Sequence, residues 1–173
     1  MHSTLHPHLS SQPGTPADYA ALAPFHYRGG RPGGITRVLA AWYRGPGLAG
    51  PDAAVGLRAG VLVETLPPLG CALRSLALPA RFDCPDRSLA AAKLNRDMRT
   101  IARVIVHPLF RSLGVAVMLV RHLLADPHTP YIEALAAMGR VHPFFLRAGM
   151  RAYDRPALPD AVARAAAAAA CCA

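Results

Sequence analysis

Lysine is almost missing from this chain. Only Lys93 is present, so the net charge of +9 and the pI near 10.3 come from arginines scattered along the sequence. Excess cations bind phosphates without sequence specificity, but with no basic run a nucleic-acid partner is not favoured, and an anionic cofactor accounts for the charge equally well. Long apolar runs are missing too. The longest, Val115 to Ala125, contains Arg121 and His122 and falls well short of the roughly 20 residues that cross a bilayer, so no membrane span is expected. The first residues, MHSTLHPHLSSQPGTP, have neither the early positive cluster nor the apolar centre of a secretory signal, which leaves a cytoplasmic location as the default. The cysteines, Cys71, Cys84, Cys171 and Cys172, form no C-x-x-C pair and no histidine stands at metal-finger spacing. They read as reduced thiols, with neither a metal site nor a disulfide. There is no internal repeat, and no G-x-G-x-x-G follows an early strand with an acidic ribose partner downstream, which argues against a dinucleotide-binding fold.

What the chain does have is 173 residues, 53% of them hydrophobic, enough for one domain with a single core. Residues 1–16, rich in Ser, Pro, His and Thr, are expected to be a disordered lead, and the alanine-rich stretch 159–173 a low-complexity tail. Between them, 17–158 is expected to form the domain. A short helix from Ala17 stops near Pro24, and the breaker cluster GGRPGG follows. Ile35 to Gly45 and the stretch AVGLRAGVLVETL read as two strands of an antiparallel hairpin with a long loop. Residues 67–86 are proline-rich and cannot be assigned. Arg87 to Met98 has helical composition, with Asp86 or Ser88 as cap. Thr100 to Pro108 is the best strand in the chain, β-branched and ended by proline. A helix from Leu113 or Gly114 to Ala125 follows, then a strand in YIEALAAM, then a short helix in HPFFLRAGM opened by Pro143 and closed by Gly149.

The informative element is the strand TIARVIV, the turn through R-S-L-G-V-A at Arg111 to Ala116, and the apolar helix after it. A glycine-containing turn into a helix N-terminus aims unpaired backbone N–H groups in one direction and adds the positive end of the helix dipole, so it can hold a phosphate. Gly114 lets the chain approach the anion closely, and Arg111 supplies a charge beside it.

In this context RVIVHPLFRSLGVA, Arg103 to Ala116, resembles motif A of the GCN5-related N-acetyltransferase (GNAT) family: a strand ending in apolar-x-Val-x-Pro, a short gap, then Arg/Gln-x-x-Gly-x-Gly/Ala opening a long helix. PFFLRAGM, Pro143 to Met150, is similar to the family's second landmark, and the single strand YIEALAAM separates the two. Within the family, LNRDMRTIARVIVHP and EALAAMGRVHPFF look most like a subgroup associated with ATP-binding-cassette ATPases. The resemblance implies an α/β fold of the α+β, mixed-sheet kind, with a mostly antiparallel sheet splayed at the cofactor site. It implies acetyl transfer from acetyl-CoA, without a metal, to an amine acceptor that the sequence does not identify.

By the same resemblance, the backbone amides of Arg111, Ser112, Leu113, Gly114, Val115 and Ala116 would hold the coenzyme pyrophosphate. The strand edge at Val104 and Val106 would pair with the pantetheine arm. The acceptor amine must lose a proton, so a base is expected near the strand end; Glu133 is the first candidate, because burial would raise its pKa, and His107 the second. The alternative for Glu133 is a carboxylate paired with a nearby arginine, and for His107 a surface histidine. Where many members carry a tyrosine that protonates the departing thiolate, this chain has Phe145, leaving that proton to water or to His142, whose alternative role is a turn or helix cap. His26, Tyr27, Arg28 and Arg31 fall on the acceptor side, where a cation-rich loop favours an acidic or phosphorylated acceptor; the alternative is a solvated loop. A second functional reading, a GNAT-fold binding or regulatory module without turnover that acts with an ATP-binding-cassette ATPase or a nucleic acid, rests on Phe145 and the charge.

Overall fold

A computed structural model describes residues 7–27, 29–50, 54–137, 139 and 141–154. The expected 159–173 tail, Arg28 and residues 1–6 lie outside the described residues. The elements run β1 (Leu9–Pro13), α1 (Pro16–Leu22), a 3₁₀ turn (Ala23–Phe25), β2 (Ile35–Tyr43), β3 (Leu57–Thr65), α2 (Ala72–Ala77), α3 (Arg87–Asp97), β4 (Met98–Val106), a second 3₁₀ turn (Pro108–Phe110), α4 (Val115–Ala125), β5 (Tyr131–Ala134) and α5 (Phe144–Ala148). The strands form one five-stranded sheet in the order β1-β2-β3-β4-β5. All neighbours are antiparallel except β4 and β5, which are parallel. This is the mixed, mostly antiparallel sheet expected from the sequence, with helices on both faces.

The expectation of a disordered lead fails at residues 9–13. LSSQP has no apolar alternation, yet it forms the edge strand β1, pairing with β2 from Leu9↔Tyr43 to Pro13↔Leu39. Polar contacts replace a buried face: Arg44 donates to Ser10 Oγ at 3.1 Å and to Gln12 Oε1 at 3.4 Å, and Ser11 Oγ lies 2.6 Å from His122 Nδ1 of α4. Proline at the strand's last position costs nothing on an edge.

On one face α4 packs Val115, Leu119, Val120 and Leu123 against Leu39, Ala41, Ala59 and Leu62, the helical spacing that gives one apolar stripe. Gly60 makes this seat. A Cβ there would stand 2.8 Å from Val115 Cγ1 and 3.0 Å from the Ile105 carbonyl, so glycine lets the first turn of α4 lie directly on the sheet. On the other face Tyr19 and Leu22 of α1 cover Val38, Val61, Val63 and Ile105. Trp42 is buried and sits beneath the guanidinium groups of Arg58, at 4.9 Å, and Arg44, at 5.6 Å, and so packs within the sheet. Among the described residues no helix is long and apolar enough to cross a membrane.

Candidate functional site

The site is built on β4. Its parallel register with β5 runs Met98↔Tyr131, Arg99↔Ile132, Thr100↔Glu133 and Ile101↔Ala134, and stops there, while β4 itself continues to Val106. On the β3 side the register steps from Glu64↔Ile101 to Val63↔Arg103, so Ala102 is an extra residue. Such a bulge bends the strand and increases its twist. It falls next to the last parallel pair, and beyond it the flank of β4 that faced β5 has no ladder partner among the described residues. The YIEALAAM strand ends at Ala134, short of the expected Met138, where its ladder with β4 stops.

The open edge leads into the turn singled out in the sequence. His107 N–H still pairs with the Ala59 carbonyl at 3.0 Å. Phe110 and Arg111 then close a 3₁₀ turn over His107 and Pro108. Ser112 (φ 67°) and Gly114 (φ 79°) both adopt the left-handed conformation, one that a serine adopts rarely and at some cost. Gly114 is the N-cap of α4 and offers no side-chain cap. The first helical bond is Met118 N–H to the Gly114 carbonyl at 3.0 Å; among the described residues the amides from Ser112 to Val117 meet no backbone acceptor. A row of unused donors at the positive end of an eleven-residue helix suits a phosphate. Arg111, Ser112 and Leu113 are exposed there, Val115 is buried as the anchor of the turn, and Val104 and Val106 pack toward α4.

Glu133 stands elsewhere than a free base should. It lies in the paired part of the splay, opposite Thr100. Arg74 of α2 grips both its oxygens, Nε to Oε2 at 3.0 Å and Nη2 to Oε1 at 2.6 Å, and the Thr100 hydroxyl donates to Oε1 at 2.8 Å. The Arg74 and Glu133 side chains are 6% and 16% exposed, and Arg74 also donates to the carbonyls of Leu69 and Pro68. This is the alternative of a carboxylate held by an arginine. A bidentate ion pair occupies the lone pairs that a base would use.

His107 is at the open end of β4, half-buried, with Phe25 edge-on at 4.9 Å and Phe110 at 5.9 Å. Its Nδ1 accepts from Leu109 N–H at 3.3 Å. In the neutral ring that bond favours the proton on Nε2, so the outward nitrogen is a donor in this tautomer. His142 is exposed ahead of α5, and its carbonyl accepts the Phe144 N–H at 2.8 Å, a turn role. The Phe25 contact brings the loop with His26, Tyr27 and Arg31 beside the end of β4; the His26 and Tyr27 rings stack at 4.7 Å, and Tyr27 and Arg31 are exposed. An open cleft of about 760 Å³ flanks β5, lined by Arg74, Glu133, Ala134, Phe145 and Tyr153 among others.

Two residues escaped the sequence reading. Arg74 sits in the proline-rich segment that could not be assigned, 59 positions from Glu133, and no spacing rule links them. Arg103 belongs to the strand motif, but only the bulge reveals where it points.

No family model matches the chain, and no curated protein does. Among solved structures it is similar to the aminoglycoside 6'-N-acetyltransferase AAC(6')-Ih from Acinetobacter baumannii, at 11% identity over 87% of this chain and 96% of that one, with a TM-score of 0.48. It is also similar to a tetramutant of the BH1408 protein from Bacillus halodurans, at 15% identity over 87% and 99% of the two chains, with a TM-score of 0.49. Both likenesses are distant, and the chemistry of the site is read from its own residues.

Proposed function

We propose that this chain is a GNAT-type N-acyltransferase that moves an acetyl group from acetyl-CoA to an amine. The observation that carries the reading is the run of β4 past its last parallel partner, one open edge leading from the Ala102 bulge into the unbonded amides of Ser112 to Val117. An extended amide-bearing arm adds to an open edge as a strand would, and a pyrophosphate is the anion that such a turn takes at the arm's far end. The thioester then lies at the closed end of the splay, near Ala102. There the amine nitrogen attacks the thioester carbonyl carbon, the C–S bond breaks, the amine loses a proton and the coenzyme thiolate gains one.

Glu133 acts in this scheme by fixing the closed end of the splay through Arg74, and water takes the amine proton. Phe145 supplies no proton to the thiolate, which leaves as the anion and then takes its proton from water. The same two features support a second reading, a coenzyme-binding module without turnover.

Calorimetry with acetyl-CoA tests the proposal. We expect binding in the micromolar range, weakened roughly 100-fold by a like charge at the turn in Gly114→Glu and in Leu113→Glu; the second variant lacks the backbone strain of the first. Absence of binding, or binding indifferent to both substitutions, removes the coenzyme site. Release of free thiol with a panel of amines separates the enzyme from the module.

A further inference from the structure

The acceptor face of the splay holds a cation with no counter-charge. Arg103 lies opposite Val63 and Ile105 opposite Val61, and residues paired across strands share a face. Val61, Val63 and Ile105 all pack under α1, so Arg103 is on the α1 side, immediately after the bulge. The half-buried side chain makes one hydrogen bond, from Nη1 to the Ala102 carbonyl at 2.8 Å. Its Nε is buried and has no partner, and among the described residues no carboxylate lies within ion-pair distance. Nearby acids are committed elsewhere: Glu64 to Arg99, Asp97 to Arg96, and Glu133 to Arg74.

The loop over this face does not supply a counter-ion either. It runs from Phe25, edge-on to His107, past Gly30, whose carbonyl is 3.5 Å from the Tyr19 hydroxyl, to Gly34, whose carbonyl accepts the Leu66 N–H at 3.0 Å. Phe25 to Gly34 contains no acidic residue and does contain Arg31. An arginine left with its Nε and Nη2 unpaired presents the two parallel donors that match an oxyanion, and an orphaned buried donor is costly until something satisfies it.

We infer that the acceptor is an amine carrying an oxyanion, a carboxylate or a phosphate, and that Arg103 is the residue that selects it. The inference rests on the acyltransfer reading. Arg103 adjoins the bulge where the thioester ends, so it fixes the acceptor by its anion while the amine reaches the carbonyl carbon.

The test is a kinetic comparison of matched amines with acetyl-CoA, followed by thiol release: ω-amino acids, their neutral amides, and phosphoethanolamine. The carboxylate and phosphate arms tell which oxyanion is preferred. Anionic amines should be turned over with the lower KM. Arg103→Gln should raise that KM roughly 10- to 100-fold with acetyl-CoA affinity unchanged, and Arg103→Lys should recover part of the loss. Neutral amides used as well as the acids would overturn the inference, as would an Arg103→Gln variant that lowers kcat for every amine alike. Failure of acetyl-CoA to bind in calorimetry would instead remove the acyltransfer reading, and this inference with it.

Discussion

The two halves of β4 are built to opposite rules. From Met98 to Ile101 the strand is paired with β5, and Thr100 and Ile101 are paired with β3 as well; Arg74 donates to both oxygens of Glu133 and the Thr100 hydroxyl to one of them. From Arg103 to Val106 it is paired, among the described residues, with β3 alone, carries Arg103 with a buried Nε that has no partner there, and runs into amides that meet no backbone acceptor among the described residues. Glu64 marks the seam. It lies opposite Ile101, fully buried, with Oε1 bonded to Thr36 at 2.8 Å and Oε2 without a donor. Buried polar groups are nearly always paired in folded proteins, so the orphaned Arg103 Nε supports the site proposed at the open half, whereas Trp42 Nε1, which also lacks a partner among the described residues, lies away from it on β2.

The largest effect should come from breaking the paired half. Arg74→Met leaves the Glu133 carboxylate buried without its cation, and such losses cost about 3–5 kcal/mol. Replacing both in Arg74→Met/Glu133→Leu should restore most of that stability in a urea titration. Glu133→Gln is the sharper variant. If Glu133 only fixes the splay, stability falls and the folded fraction keeps its kcat; a collapse of kcat at full stability would make it the base after all. A smaller effect is expected from the other side of the open half. Gly60→Ala drives a methyl group into Val115 and the Ile105 carbonyl, an overpacking worth roughly 1–3 kcal/mol. It should also tilt the first turn of α4 and weaken acetyl-CoA binding, an effect that calorimetry separates from unfolding.

Most of the open half was legible in the sequence because its determinants are local. A β-branched run ended by Pro108, a glycine at 114 and an apolar helix behind it are read within a single window, and they fixed β4, the turn and α4. Pro143 and Gly149 bounded α5 in the same way, with Gly149 at φ 108° as the cap. The paired half was not legible, because its logic is long-range. The sequence allows Glu133 as a base or as the partner of an arginine, and cannot name that arginine, because α2, a six-residue helix in a proline-rich stretch, brings Arg74 to it from far along the chain. β1 was hidden for a related reason: a polar edge strand has no pattern of its own and is specified by the neighbour it pairs with. The end of β5 differs from the expectation because nothing in YIEALAAM itself marks where its ladder with β4 stops.

The smallest of these effects concerns α1, which covers the open half from above. Burial raises the Asp18 carboxyl, but hydrogen bonds from Arg58 Nε at 2.6 Å and from the Thr15 backbone and hydroxyl outweigh it and hold the group below its ordinary value. A carboxyl lowered in the folded state stabilises fully above its unfolded pKa, about 3.9, and that contribution fades as pH falls through the lowered value. Stability should therefore drop with acid in that window, and Asp18→Asn, which keeps an acceptor but not the charge, should flatten the drop while costing on the order of 1 kcal/mol at neutral pH. Thermal melts from pH 7 to pH 2 measure both. Since Tyr19 and Leu22 of the same helix cover Ile105 next to Arg103, the variant should also loosen discrimination between anionic and neutral amines, while leaving the Arg74–Glu133 end of the strand as it was. An acid profile unchanged by Asp18→Asn would place the sensitivity instead at Asp97, whose carboxyl the Arg96 hydrogen bond holds below its ordinary value.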